Sequence, residues 1–489
     1  MKHLLSISIG PVQDFIAAAR RTADLYAGSQ ILQELIRGAA HYLANQGAQL
    51  IFPADPDSDG ANKILAEVEG DPKALADGAK QAAQKKLMEL WEEAKKAVPS
   101  DLIDQERAQG QLKSFLEVYA AWLPLHEESQ YPQVRQELER LLAGRKVLRD
   151  FASTRQNDAG VPKSPLDPSR AAVMDPRAWG QVSVCSPDGS YRPLRIKATE
   201  HLDAVSLLKR VYGVLRSEKV VDTRTMARRA QNPQAMPDER YGEDDDHIQE
   251  PQPYFAILVA DGDRMGELIS RQEDPEAHRR LSQTLDTFAQ KARKIVQKYH
   301  GFMVYSGGDD VLAFLPVNQA IACAQDLSEE FRHQVRGTLS AGLAVVHYRE
   351  PLSISLENAR EAEKAAKNGG RDALAVALHT RGGAPITVVR KWDDLRWPEL
   401  LGHYAQGDLT QGLAYELHVL AQEWQDEMNV AYLQAEAERI LARKERRGLK
   451  LPQFESRQDL LTYADQLVIA RFLKGIKTPD SEQPEVSHA

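Results

Sequence analysis

The chain reads as an α+β protein. It has two ferredoxin-like units, a mainly helical and loop-rich stretch between them, and a helical carboxy-terminal part. Three observations predict this. A βαββαβ series runs from Tyr254 to about Val346, and a shorter strand–helix–strand–strand series opens the chain. Beyond about residue 391 the pattern is helical and charged.

Bulk properties narrow the class. At 489 residues the chain is long enough for two to four domains, and 42% apolar against 27% charged residues leaves ample material for cores. The net charge of −9 argues against a broad basic face gripping nucleic acid, so any such contact is local or shared with partners. Two cysteines far apart, Cys185 and Cys323, make no disulfide framework and no cysteine-rich zinc site. No apolar run reaches membrane-spanning length and no export signal opens the chain, so a cytoplasmic protein without membrane contact is expected.

Leu4 to Ile9 alternate as a strand, and Pro11 suits a first helical turn. Val12, Phe15, Ile16 and Ala19 then recur at helical spacing, resuming at Ile31, Leu35 and Leu43. Leu50-Ile51-Phe52 and Lys63 to Val68 read as further strands around a polar Asp55–Gly60 turn. From Pro72 to about Lys96 the spacing predicts a solvated helix whose buried stripe is Leu87, Leu90 and Trp91. Residues 100–152 read as mainly helical. A proline-rich stretch follows, helical periodicity returns near 201–210, and the acidic run from Asp238 to Gln252 reads as a mobile linker. The resulting division is 1–150, 151–250, 251–390 and 391–489.

The second unit is sharper: strand 254–260, helix 275–299, strands 301–305 and 311–315, helix 317–335, strand 338–346, helix 353–367 and strand 373–378. It reads as an antiparallel sheet with helices on one face. Between its second and third strands lies Tyr305-Ser306-Gly307-Gly308-Asp309-Asp310, a hairpin whose glycines accept the positive φ of a tight turn. Two adjacent carboxylates at a tip repel each other and call for a cation. Asp261-Gly262-Asp263 ends a buried strand, where α/β sheets place ligand chemistry. In a βαββ sheet that strand neighbours the hairpin, so Asp261, Asp309 and Asp310 can converge as hard oxygen ligands for Mg²⁺ or Mn²⁺. Asp263 is a fourth candidate ligand, or else it stays at the following helix start. The tripeptide alone is common turn chemistry, the hairpin alone is a somewhat better signal because a turn needs at most one acidic residue, and their ordered combination is much stronger.

Charge arithmetic gives the reaction. A triphosphate carries about four negative charges, so carboxylates facing it require divalent cations between. Two Mg²⁺ held by Asp261, Asp309 and Asp310 suit attack of a 3′-hydroxyl on an α-phosphate. Lys367, ending a helix before Gly369-Gly370, either reaches the β/γ-phosphates or is a solvated helix-end lysine. Ser306, Gly307, Gly308 and Gly262 are the remaining nucleotide-binding candidates in this unit. The amides of a helix starting at Arg264 also suit a phosphate. His347 reads as a strand-end group with a local hydrogen bond, and Arg443 to Arg447 as a solvated helix end.

The sequence resembles the large subunit of type III CRISPR effector complexes, the palm-domain CRISPR polymerase, and within it the Cmr-type branch. The likeness covers most of the chain. It rests on Gly10 to Ile16, Ala19-Arg20, Asp24 to Ser29, Arg145-Lys146 to Phe151, Lys163 to Asp167, Asp261 to Gly266, Ser306 to Asp310, and Ser340-Ala341-Gly342 with His347. The resemblance implies a target-RNA-activated synthase that joins ATP into cyclic oligoadenylate. It implies two facing palms, each with one ATP, and metal-binding aspartates corresponding to Asp261, Asp309 and Asp310. The first palm then resembles a metal-free acceptor site to which Gln13, Arg20 and Ser29 contribute. Implied partners are guide RNA, target RNA and other Cas subunits, a small subunit meeting the carboxy-terminal helices. Many members begin with an HD nuclease, whereas this chain starts at the first palm, so DNA cleavage is expected to be absent. The four-cysteine zinc site of many relatives is not matched either, so zinc is not expected. A cyclic-dinucleotide or linear nucleotidyl transferase, or other nucleotidyl cyclase, on the same palm and a non-catalytic nucleotide-binding scaffold of the complex are the alternatives.

Overall fold

A computed structural model describes residues 1–59, 62–148, 158, 160–174, 183–185, 191–194, 196–197, 200–216, 220–236, 253–410, 412–425, 429–444 and 449–474. The first unit runs β1 (Lys2–Gly10), α1 (Gln13–Ala17), α2 (Thr22–Asn45), β2 (Gln49–Phe52), β3 (Lys63–Glu69), α3 (Pro72–Lys95), α4 (Gln105–Phe115) and β4 (Glu117–Pro124). Its antiparallel sheet has the order β2-β3-β1-β4. Helix α5 (Tyr131–Val147) then crosses the sheet face opposite α2. The short pair β5 (Ser183–Cys185) and β6 (Tyr191–Pro193) precedes α6 (Ala204–Arg216) and α7 (Thr223–Arg228).

The second unit repeats the plan as β7 (Tyr254–Gly262), α8 (Met265–Ser270), α9 (Pro275–Lys298), β8 (Phe302–Gly307), β9 (Asp310–Leu315), α10 (Ala320–Val335), β10 (Leu339–His347), α11 (Leu352–Asn368), β11 (Ala373–Leu378) and β12 (Ile386–Lys391). Its order is β12-β11-β10-β7-β9-β8. Read as second, third, first and fourth strand, β8-β9-β7-β10 matches β2-β3-β1-β4, so the two units share one topology. Helices α12 (Trp397–Gln406), α13 (Leu413–Glu423), α14 (Val430–Lys444) and α15 (Arg457–Lys474) close the described chain, with α15 packed on β12, α12 and α13. No described helix is long and apolar enough to cross a membrane.

Local chemistry sets the boundaries. Asp-Pro pairs start two long helices: Asp71 accepts from the Lys73 amide ahead of α3, and Asp274 from the Ala277 amide ahead of α9, with proline in the first turn of each. Every residue of β11 and of β10 is buried, because helices cover both faces of the sheet there.

Several expectations need correction. Stretch 100–152 holds helices α4 and α5, but strand β4 lies between them; its run of Ala, Leu and Trp fits either period, and pairing with β1 decides it. In the second unit α9 and α10 cover one face, while α11 covers the other against Gly342, Ala344 and Val346, so helices are not confined to one side. Strand β11 runs parallel to β10, and β12 extends the sheet beyond residue 378. The acidic run 238–252 lies outside the described residues. The four-part division remains a proposal; by its contacts α6 belongs with the first core.

Helix α9 joins the units. Arg279 Nε donates to Leu50 O at 2.7 Å, Ser282 Oγ accepts from the Ala54 amide at 3.0 Å, Arg293 pairs with Asp59 at 2.7 Å, and His278 Nδ1 meets Tyr131 Oη at 2.7 Å. Burial holds the His278 imidazole at about 4, so it is neutral at pH 7.

Helix α6 is fastened to the first unit by buried charge. Arg210 donates from Nε and Nη2 to both Asp24 oxygens at 2.8 and 2.9 Å, and also to Glu200 at 3.0 Å, all three nearly inaccessible. Lys209 Nζ donates to Phe15 O and Ala18 O, both at 2.6 Å; burial lowers it to about 8. Burial alone would raise Glu200, but the Arg210 hydrogen bonds and charge outweigh it and leave its carboxyl near about 2. A depressed carboxyl stabilises the fold above its unfolded value of about 4.5 and loses that contribution as pH falls toward about 2. Arg210→Met, which strands two buried carboxylates, should cost about 3–5 kcal/mol. Urea midpoints measured at pH 7 and pH 3 check both points: the wild type should lose stability between the two pH values, and the variant should lose less.

Candidate active site

Strand β7 carries Asp261 at its carboxy-terminal end, paired with Ser340 of β10. Next to it, on the other side of β7, β9 leads back to the hairpin tip, where Gly307 pairs with Asp310 and Gly308 takes φ +65°. Carboxylate oxygens of Asp261, Asp309 and Asp310 lie within 4.8 Å of one another, Asp310 the most exposed. Gly262 permits that approach. A Cβ there would stand 2.9 Å from Asp309 Cβ and 2.8 Å from the Phe331 ring.

The electrostatics follow from crowding. Burial pushes the Asp309 carboxyl up to about 7, the Asp261 charge adds to it, and Lys367 pulls the other way. Asp310 rises well above the usual carboxylate range, through burial, a hydrogen bond with Asp261 and the Asp309 charge. Tyr305, beneath the tip, is also raised by burial and by the three carboxylates, so its phenol stays protonated. Positive charge comes from α11: Lys367 Nζ pairs with Asp261 and with Glu363 Oε1, the latter at 2.8 Å. Close packing of α11 makes this reach possible, since a Cβ on Gly342 would lie 2.1 Å from the Glu363 amide.

The other predicted residues divide. Asp263 does not join the cluster. Its oxygens accept from Thr338 Oγ1 at 2.8 Å, Ser340 Oγ at 2.7 Å and the Asp372 amide at 2.9 Å. It is therefore a knot between β7, β10 and the α11–β11 turn, where Gly370, Arg371 and Asp372 all have positive φ. Ser306 is buried and donates to Ala289 O at 3.3 Å, tying the hairpin to α9 instead of facing a ligand. Helix α8 is six residues long and starts from a left-handed Arg264, too short to aim amides at a phosphate. His347 Nδ1 accepts from the Arg349 amide, as a strand-end group should. In the first unit Gln13 is exposed at the start of α1, and Arg20 lies 4.0 Å from Glu200. Ser29 is buried within α2, its hydroxyl without a hydrogen-bond partner. Tyr305 and Glu363 are the neighbours that sequence reasoning missed. The spacing of Glu363 and Lys367, four apart on one helix, was the available signal.

A set of three carboxylates suits a hard divalent cation, and the raised Asp309 and Asp310 show how poorly it tolerates full ionisation alone. The donor set therefore fits Mg²⁺ or Mn²⁺ held by Asp261, Asp309 and Asp310.

Comparison with known proteins follows the same lines. The family model for Cas10/Cmr2, second palm domain, matches residues 254–375, and that for CRISPR-associated protein Cmr2, N-terminal, matches residues 4–142. The CRISPR system Cmr subunit Cmr2 of Pyrococcus furiosus is 24% identical over 80% of this chain; the match spans 63% of that relative's length. Among solved structures, a type III-B Cmr-beta complex in the apo state gives a TM-score of 0.72 at 12% identity, covering 97% of this chain and 82% of that one. The same type of complex bound to cognate target RNA gives 0.65 at 12% identity, covering 97% and 83%. A Csm1–Csm4 cassette in complex with cA4 gives 0.56 at 16%, covering 97% and 70%. At such identities these structures show a shared fold.

Substitutions separate the ligands from the knot. Calorimetric titration with Mn²⁺ should show binding lost in Asp261→Asn and Asp309→Asn. Asp263→Ala should retain it while its unfolding free energy drops by about 2–4 kcal/mol, three donors having lost a charged acceptor.

Proposed function

Since this chain belongs to the Cas10/Cmr2 family, we propose that it is the large subunit of a type III CRISPR effector complex that converts ATP into cyclic oligoadenylate when target RNA is bound. The observation that carries the reading is the convergence of Asp261, Asp309 and Asp310 under Lys367 at one end of the second sheet.

The reaction is adenylyl transfer: the 3′-hydroxyl of one nucleotide attacks the α-phosphate of another, a P–O bond forms, and pyrophosphate leaves. When bound, divalent cations would neutralise the triphosphate and the developing charge on the attacking and leaving oxygens. Asp261, Asp309 and Asp310 would hold those cations. Lys367, on the last turn of α11, exchanges its contact with Asp261 for the β/γ-phosphates once the aspartates are neutralised. Gly307 and Gly308 keep the tip free of side chains beside the substrate, Gly262 lets Asp309 close on Asp261, and Asp263 keeps the α11–β11 turn in register behind Lys367. The first palm presents the acceptor nucleotide, with Gln13 and Arg20 at its accessible edge. Ser29 would contribute only if α2 shifted to expose it.

The relatives' assemblies support the partner assignment. Guide RNA, target RNA and other Cas subunits are proposed partners, with the helices after residue 391 as the contact for a small subunit. That one similar cassette is in complex with cA4 and another with pppApA supports adenine nucleotides over guanine in this chain.

The complex with guide and matching target RNA, given labelled ATP with Mg²⁺ or Mn²⁺, should yield cyclic oligoadenylate. Asp309→Ala/Asp310→Ala should lower the rate by at least about 10³-fold. Product from GTP would favour a cyclic-dinucleotide cyclase, and ATP binding without turnover in the wild type would favour a scaffold.

A further inference from the structure

We propose that Glu363 is a positioning residue: it keeps Lys367 seated at the site when Asp261 releases that lysine, and so sets how readily the aspartates take a divalent cation. The consequence for cations rests on the reading of Asp261, Asp309 and Asp310 as metal ligands; the seating of Lys367 does not.

Glu363 stands where helix packing alone calls for an apolar side chain. It shares the buried stripe of α11 with Leu352, Leu356, Ala359, Ala362 and Ala366. Burying a carboxylate there is unfavourable unless a cation meets it. Among the described residues one cation is ion-paired with it, Lys367, at 2.8 Å.

On an open helix surface a Glu and a Lys four residues apart would be ordinary solvated chemistry. This pair is placed differently. The helix rests on β10 at Glu363 itself, where a Cβ on Gly342 would stand 2.1 Å from the Glu363 amide. One turn later Lys367 reaches Asp261 of β7. The spacing puts both residues on one face, so the ammonium can turn away from Asp261 without leaving Glu363.

The two carboxylates that hold Lys367 differ in what else they face. Asp261 belongs to the cluster whose oxygens lie within 4.8 Å of one another, and Glu363 is not a member of it. A cation entering the cluster competes with Lys367 for the Asp261 oxygens. With Glu363 beside it, the displaced ammonium keeps a charged acceptor. Without Glu363 it either stays on Asp261, opposing the cation, or is left unpaired next to a like charge. Glu363 therefore lowers the cost of freeing Asp261.

Two measurements on the full chain test this. In metal-free crystals of Asp261→Asn, the Lys367 ammonium should stay within hydrogen-bond reach of Glu363, and in Asp261→Asn/Glu363→Gln it should leave. In calorimetric titration with Mn²⁺, Glu363→Gln should raise the dissociation constant about tenfold when Lys367 is present and at most about twofold in a Lys367→Met background. If Glu363→Gln melts early, Glu363→Met, matched to the apolar stripe, carries the same comparison. Equal weakening in both backgrounds would make Glu363 a general negative charge, and no weakening in either would make it structural. Either result, or a Lys367 that abandons Glu363 in Asp261→Asn, would overturn the proposal. A wild type that binds no Mn²⁺ while Lys367 holds to Glu363 in Asp261→Asn supports the seat and overturns the reading of the aspartates as metal ligands.

Discussion

Three carboxylates held within 4.8 Å of one another cannot all stay ionised without positive charge beside them, and the second unit is arranged around that constraint. Lys367 supplies the charge from α11, sharing it with Glu363. Gly262 and Gly342 let the hairpin and α11 approach the sheet to distances no side chain would allow. Asp263 spends its own charge on three donors and so fixes the turn that follows Lys367. Burial and crowding drive Asp309 and Asp310 toward protonation, an arrangement that favours folding less than an apolar hairpin tip would and that suits a hard cation.

The second unit was legible because its strands are continuous apolar runs and its turn chemistry is unambiguous. Ala256 to Ala260 and Val311 to Leu315 lie in the sheet, and Gly307-Gly308 at the tip. The placing of α11 was not legible. Periodicity identifies its buried stripe but not which sheet face receives it, and only the small residue at Gly342 hints at the answer. Strand β4 was missed because Val118 to Leu123 is apolar on both faces, with α5 over one side, so neither period dominates. At the site, the three aspartates could be grouped from order along the chain, whereas Asp263 and Ser306 could not be told apart from ligands. Their partners, Thr338, Asp372 and Ala289, are distant in sequence and are found only by folding.

The two units share a strand order yet differ in what their strand ends carry. One ends in Asp261 and Gly262, the other in Ile9 and Gly10. The acidic Asp55–Asp59 loop stands where the second unit has its hairpin, but it is occupied by Arg37, His41 and Arg293, so its charge serves the joint between units. Helix α9 makes that joint and also receives the Ser306 bond from beneath the hairpin. A change in how the first unit seats on α9 thus has a short covalent and hydrogen-bonded route to Asp309 and Asp310.

The central claim is that these aspartates exchange Lys367 for divalent cations when nucleotide arrives. The most direct measurement is anomalous scattering from Mn²⁺ in crystals of the chain with a non-hydrolysable ATP analogue. The account predicts Mn²⁺ among the Asp261, Asp309 and Asp310 oxygens, with the Lys367 ammonium moved from Asp261 to the phosphates. Mn²⁺ bound elsewhere, or a Lys367 still seated on Asp261 with nucleotide present, would contradict it.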